Sequence, residues 1–289
     1  TEEMLRRQNE VMDRLMTGRW FGRHSKIETR YLIREDGSRL RILVCTSKKG
    51  TNPNATGLMW IHGGGYAVGC PEQNFAKVDR FVKDGNTVTV LPDYIRTTEK
   101  PYPAALEDCY LTLKWLKDHA IELNVNADQL FVGGDSAGGA LAANVCNTAE
   151  TRGLPRPMCQ LLIYPVTDDE MNTESKMRFT DTPLWNAKNN HKMWTMYLKD
   201  VTDEQRRIAV PIRNPLPQTL PPTYIETAEF DCLHDEGLAY AKHIEGVAEC
   251  VEINETQGTI HGYDILAKHP ITRDSTKKRI DFMKKYINS

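Results

Sequence analysis

The sequence predicts an α/β fold: a mostly parallel central sheet of about eight strands, flanked by helices, with a helical cap. Two observations carry this. Short apolar, β-branched or aromatic stretches alternate with amphipathic helical stretches, as in a sheet covered on both faces. One of those strands also runs straight into a glycine-flanked serine and then a helix, at Gly134-Asp135-Ser136-Ala137-Gly138-Gly139.

In order, the first element is a helix over about Glu2 to Met16, with Met4, Leu5, Val11, Met12, Leu15 and Met16 as its apolar positions. Strands follow at Glu28 to Arg34, Leu40 to Thr46, Gly57 to Ile61 and Thr87 to Pro92. Between the last two lies a helix, Asn74 to Lys83, with Phe75, Val78, Phe81 and Val82 on one side. A second helix spans Ala104 to Leu123. The strand Gln129 to Val132 leads to Ser136, and Ala140 to Cys146 reads as the helix behind it. Later strands are expected at Gln160 to Tyr164, Thr223 to Ala228 and Glu249 to Asn254, with helices at Glu236 to Glu245 and Ile271 to Ile287. The segment Thr167 to Pro217 breaks the alternation, and its large side chains include Trp185, Met193, Trp194, Met196 and Tyr197. An insertion of this length is more often functional than idle. The reading is one domain over residues 1–289, with a cap formed by 1–25 and 167–217. A helical excursion on its own small core is the alternative for the insertion.

The bulk properties narrow the function classes. With 289 residues and 40% apolar content, one large α/β domain with a sizeable core is feasible. A net charge of −2 without a dominant basic patch argues against nucleic acid as a partner. No apolar run reaches the ~18–20 residues of a membrane helix. The charged start, Thr1-Glu2-Glu3-Met4-Leu5-Arg6-Arg7, lacks the apolar core of a signal peptide. Seven scattered cysteines without a C-x-x-C pair argue against a zinc ribbon and fit a reducing compartment. A cytoplasmic location without a metal site is therefore expected.

Four motifs compose a site. A serine on a sharp strand-to-helix turn presents its hydroxyl, the arrangement a nucleophile needs, and the flanking glycines allow the tight turn. His62-Gly63-Gly64-Gly65 directly follows the strand Leu58 to Ile61. Consecutive glycines let backbone N–H groups approach a ligand, and Gly63, Gly64 and Ala137 are the expected oxyanion donors. His62 is expected to orient this loop rather than transfer protons. Ala228-Glu229-Phe230-Asp231-Cys232-Leu233-His234-Asp235-Glu236-Gly237 closes a late strand. Asp231 is the choice for the orienting acid, with Glu229 and Asp235 as fallbacks; Asp235 and Glu236 also read as first-turn helix carboxylates. His261, in His261-Gly262-Tyr263-Asp264, is the base, since its unperturbed pKa lies near neutrality. Tyr66, Trp185 and Tyr263 are expected in the substrate pocket. Bulky Trp185, Trp194 and Tyr197 favour a confined pocket, hence short acyl chains.

Together these motifs resemble the hormone-sensitive-lipase family of α/β-hydrolase esterases. The resemblance covers about residues 55–289; the first ~50 match only the general pattern of the family's N-terminal cap helices. The order Ser136, Asp231, His261 is that of α/β-hydrolases. The resemblance implies a cytoplasmic carboxylesterase that acts on short acyl esters without a cofactor, with a homodimer as a further possibility. Two departures stand out. Where the family usually reads D-Y-R-L-A-P-E, this chain has Asp93-Tyr94-Ile95-Arg96-Thr97-Thr98-Glu99. Cys70 replaces a small polar residue beside the oxyanion loop, as a redox-sensitive thiol or as buried filler. An amidase or peptidase with the same triad, and a non-catalytic ligand-binding protein on this scaffold, are the competing readings.

Overall fold

The computed structural model describes residues 1–18 and 22–287. Residues 19–21, within the first stretch assigned to the cap, lie outside it.

Among the described residues, eight strands form one sheet: β1 (Ser25–Ile33), β2 (Arg39–Ser47), β3 (Ala55–Ile61), β4 (Thr87–Pro92), β5 (Val125–Asp135), β6 (Cys159–Ile163), β7 (Thr223–Ala228) and β8 (Val251–Thr256), in the spatial order β1-β2-β4-β3-β5-β6-β7-β8. β1 and β2, and β2 and β4, pair antiparallel; all later pairs are parallel. Parallel strands need crossovers, and the crossovers here are helices that cover both faces. That is why β3, β4, β6 and β7 are buried along their whole length.

α3 (Ala104–Asp118), α4 (Ala137–Thr148) and α8 (His234–Ile244) pack on one face, around Leu106, Leu113, Leu141, Val145 and Tyr240. α2 (Phe75–Asp84) and α9 (Pro270–Lys285) pack on the other, where Phe81 and Phe282 meet Trp60 and Tyr224. α3 stops at Asp118, short of the expected Leu123. The His119 ring meets the Trp115 carbonyl through Nδ1 at 2.9 Å, and Asn124 turns left-handed at φ 57. Ile121, within the helix expected to run to Leu123, is therefore 92% exposed. β5 is longer than its apolar centre suggests, because it extends through Gly133, Gly134 and Asp135 to the turn itself.

α1 (Glu2–Met16) stands apart from the core. It is capped by Thr1, whose hydroxyl accepts from the Met4 N–H at 3.4 Å, and it opens on Glu2 and Glu3, which suit a helix N-terminus. Asn9 is its one buried residue and donates to the Ala67 carbonyl at 2.8 Å. Arg96 grips Asp13 through both guanidinium nitrogens, at 3.0 and 2.9 Å. Within the insertion, α5 (Glu174–Arg178) packs against α8, whereas α6 (Ala187–Tyr197) rises above the glycine loop. α7 (Asp203–Ala209) returns towards α4, where Asn144 donates to the Ala209 carbonyl at 2.8 Å.

Candidate active site

Ser136 occupies the sharp turn between β5 and α4, at φ 58 and ψ −121. That left-handed φ is strained for a residue with a Cβ and persists because its surroundings hold it. The Ser136 N–H donates to the Ile163 carbonyl at 2.9 Å, and its own carbonyl accepts from the Ala140 N–H at 3.1 Å. The motif's glycines are needed for close approach. A Cβ on Gly138 would stand 2.1 Å from the Ile61 carbonyl oxygen, and one on Gly134 would stand 2.4 Å from the Gly138 backbone.

The structure brings Ser136, His261 and Asp231 into line, across 125 and 30 residues of chain. His261 Nε2 lies 3.0 Å from Ser136 Oγ. His261 Nδ1 lies 2.6 Å from Asp231 Oδ2. A carboxylate only accepts, so Nδ1 carries the proton and Nε2 is free to accept from the serine hydroxyl. Asp231 is held in turn by the Leu233 N–H at 3.0 Å. All three residues are buried. The fallback acids have other partners: Glu229 accepts from the Gly258 N–H at 2.7 Å, and Asp235 from the Ser175 N–H at 2.8 Å. Glu236 is in the first turn of α8 as expected, but fully buried in an ion pair with Lys176.

The glycine loop differs from expectation in one position. The Gly63 N–H already donates to Asp135 Oδ2, at 3.3 Å. The N–H groups of Gly64, Gly65 and Ala137 have no acceptor among the described residues. The donors left open in this loop thus include Gly65, which sequence reasoning missed; three equivalent glycines in a row carry no signal for which N–H is already used. His62 lies beneath the loop. Its ring stacks on Tyr94 at 4.2 Å, its Nδ1 meets the Gly63 carbonyl at 2.8 Å, and burial holds its pKa below the ordinary histidine value. A neutral, enclosed imidazole suits a loop-orienting role.

A cavity of about 1620 Å³ opens above Ser136 and His261. Its walls are the glycine loop, the apolar face of α1, the stretch from Leu184 to Met196, and parts of α2, α9 and the loop after His261, including Lys77, Asp264 and Ile265. Met4, Val11, Leu184 and Ile265 are large apolar side chains left exposed at this wall. Trp185 lines it, with its ring 6.0 Å from that of His261 and against Gly65, where a Cβ would come within 2.5 Å of the indole. Tyr66 and Tyr263 do not line it. Tyr66 is fully buried, stacked on Tyr197 at 3.7 Å, because the bend after the glycine loop turns its ring into the core. Tyr263 points away from the nucleophile, and its hydroxyl donates to Glu226 Oε1 at 2.6 Å. Cys70 is fully buried, and burial pushes its thiol up to about 12; that is the filler reading, since a thiol so rarely ionised is a poor redox sensor.

Sequence reasoning also missed a buried charged cluster beside the triad. Lys77 on α2 contacts Asp135 at 3.0 Å and Asp264 at 3.1 Å. Asp264 further accepts from the Tyr164 hydroxyl at 2.5 Å and pairs with Arg279 at 2.8 Å. Each is a common residue in an ordinary local context, and only the fold gathers them.

Among known proteins, a family model described as alpha/beta hydrolase fold matches residues 58–265. The esterase LipI of Mycobacterium tuberculosis is 30% identical over 208 residues, 71% of this chain and 65% of its own. An ethyl acetate hydrolase of Pseudomonas putida is 30% identical over 207 residues, again 71% and 65%. The chain thus spans a little under two thirds of these relatives' length. The solved structure of a bacterial heroin esterase superposes with a TM-score of 0.88 at 28% identity, covering 100% of this chain and 93% of that one. Among the described residues, no helix is long and apolar enough to cross a membrane. The match over most of the chain, the eight-stranded sheet and these relatives together establish that the chain belongs to the hormone-sensitive-lipase-like family of α/β-hydrolases.

Proposed function

We propose that the protein is a carboxylesterase that hydrolyses short-chain acyl esters through a serine acyl-enzyme. The carrying observation is the pair of contacts made by His261: 2.6 Å to Asp231 and 3.0 Å to Ser136. Ser136 Oγ attacks the ester carbonyl carbon while its proton passes to His261 Nε2. Asp231 holds the productive tautomer and stabilises the imidazolium that forms. The oxyanion of the tetrahedral intermediate takes hydrogen bonds from the open N–H groups of Gly64, Gly65 and Ala137. Gly63 supports the loop through Asp135. His261 then protonates the departing alkoxide, and water repeats the sequence on the acyl-enzyme to release the acid.

The reading assigns the acyl group to the narrow part of the cavity. Trp185 against Gly65 limits the space next to the oxyanion donors, which supports acetate-to-hexanoate chains. The wider volume under α1 is left for the alcohol portion. Residues 1–25 and 167–217 are the cap in this proposal, supported by α1 and Leu184 to Met196 at the cavity wall. A cytoplasmic location is supported by seven free cysteines, six of them buried. A homodimer through the β8 edge, where Ile253 is 42% exposed, completes the proposal, and sedimentation measures it.

The test is Ser136→Ala on a p-nitrophenyl acyl series, together with labelling by a fluorophosphonate probe. Wild-type protein should hydrolyse the short esters and label at Ser136, and the variant should do neither. Full activity in Ser136→Ala, or a clear preference for long-chain triglyceride emulsions, contradicts the proposal.

A further inference from the structure

The triad's two halves come from distant parts of the chain. Ser136 follows β5, and His261 sits in the loop after β8. One direct link between them is the 3.0 Å contact between the reacting groups themselves. A second link runs beside the triad through Lys77, which lines the same cavity. Its ammonium lies 3.0 Å from Asp135, the residue before the nucleophile, and 3.1 Å from Asp264, three residues past the base.

We propose that Lys77 is a positioning residue for this hydrolysis: its ammonium clamps Asp135 to Asp264, and so holds the nucleophile turn and the histidine loop at the spacing the reaction uses. The proposal rests on the serine-hydrolase reading above and adds to it a residue outside the triad and the oxyanion loop.

Four features support the clamp. The Lys77 side chain is only 11% exposed, and those of its partners 9% and 3%, so these ion pairs are little screened. Both carboxylates are anchored on their own sides. Asp135 accepts from Trp60 Nε1 at 2.9 Å, and Asp264 accepts from the Tyr164 hydroxyl and from Arg279. Burial alone would raise the pKa of Asp264; Lys77 and Arg279 outweigh it and hold the group below the ordinary carboxylate range. Tyr164 then joins the cluster to the base, with its ring 4.6 Å from the His261 ring. Without Lys77, Asp135 has no cation partner among the described residues, while Asp264 keeps Arg279.

The clamp also sets charge. His261 faces Asp231 at Nδ1, Ser136 at Nε2, and the Tyr164 and Trp185 rings. The surrounding charges are Asp264 on its own loop, Asp135 on β5, Lys77 on α2, Arg279 on α9 and Glu226 on β7. Tyr164 and Tyr263 stay protonated, because burial raises both. Removing Lys77 favours the imidazolium; removing the Asp264 charge disfavours it. A residue that merely fills space would produce neither shift, still less two of opposite sign.

The experiment is the pH dependence of kcat and kcat/KM on p-nitrophenyl butyrate for wild type, Lys77→Met, Lys77→Arg and Asp264→Asn, each checked by circular dichroism. Lys77→Met should lower kcat about 100-fold, the scale of a misplaced catalytic group, with KM little changed. Its acid limb should move up, and Lys77→Arg should recover most of the rate. Asp264→Asn should move the acid limb down. Wild-type kcat in Lys77→Met overturns the proposal. So does a loss with an unmoved limb and no recovery in Lys77→Arg. If Lys77→Met does not fold, the opposite limb shift in Asp264→Asn and the rate of Lys77→Arg decide the matter; an unmoved limb in Asp264→Asn then overturns it. Absence of Ser136-dependent turnover in wild type is a different result and refutes the hydrolase reading instead.

Discussion

Asp231→Asn tests the site at its most buried point. The carboxylate is fully enclosed, with Oδ1 taking the Leu233 N–H at 3.0 Å and Oδ2 facing His261 Nδ1 at 2.6 Å. Asparagine has the same shape, so its Oδ1 retains the Leu233 bond and its NH2 falls where Oδ2 was. That NH2 can only donate. His261 Nδ1 must then accept, its proton moves to Nε2, and Nε2 no longer takes the serine proton at 3.0 Å. The variant also loses the negative charge beside the forming imidazolium. At about 4 Å between charge centres and an effective dielectric near 20, that charge is worth about 4 kcal/mol. Each ~1.4 kcal/mol is a factor of ten, so kcat should fall about 10³- to 10⁴-fold. The assay is steady-state hydrolysis of p-nitrophenyl butyrate at neutral pH, with thermal melting to show that the fold is retained. Fluorophosphonate labelling should slow in parallel, since it needs the same activated serine. A folded variant within tenfold of wild type would refute the assignment of Asp231, and with it the tautomer argument.

Three further outcomes follow from the structure. Gly138→Ala puts a methyl 2.1 Å from the Ile61 carbonyl oxygen, a backbone atom that cannot swing away; it should cost about 1–3 kcal/mol, and an unchanged melting temperature would show that the turn can relax. Trp185→Ala opens the wall at Gly65, so longer acyl chains should gain about fourfold per newly buried methylene, or ~0.8 kcal/mol each; comparing butyrate with octanoate esters measures this, and an unchanged ratio removes Trp185 from the acyl pocket. The folded-state pKa of Asp264 is depressed, so its contribution to stability is complete above the unfolded value of about 3.9 and is lost as pH falls through the folded one. The melting temperature of Asp264→Asn should therefore lie below wild type near neutral pH, and the gap should narrow on acidification; a constant gap contradicts the sign.

The legible parts of the sequence were those with a local cause. Thr223 to Ala228 reads as a buried strand because β-branched and aromatic residues fit a covered sheet, and β7 has those bounds. The Gly134 to Gly138 turn is readable because its backbone admits almost nothing else. Gly65 was not legible as a donor, because the use of the Gly63 N–H depends on a carboxylate 72 residues away. Tyr66 and Tyr263 failed as pocket walls for a related reason: proximity in sequence to His62 and His261 does not set the direction of a ring, and both rings found better partners in Tyr197 and Glu226.

The sequence by itself determined the α/β alternation, the order serine, acid, histidine, and the family resemblance, since periodicity and turn chemistry act over a few residues. Only the tertiary structure decided which acid meets His261, which N–H groups remain open, and that Lys77 joins Asp135 to Asp264. Those outcomes depend on distances of a few ångströms between residues far apart in the chain. Hydrogen bonds and buried charges respond steeply to such distances, and no local pattern encodes them.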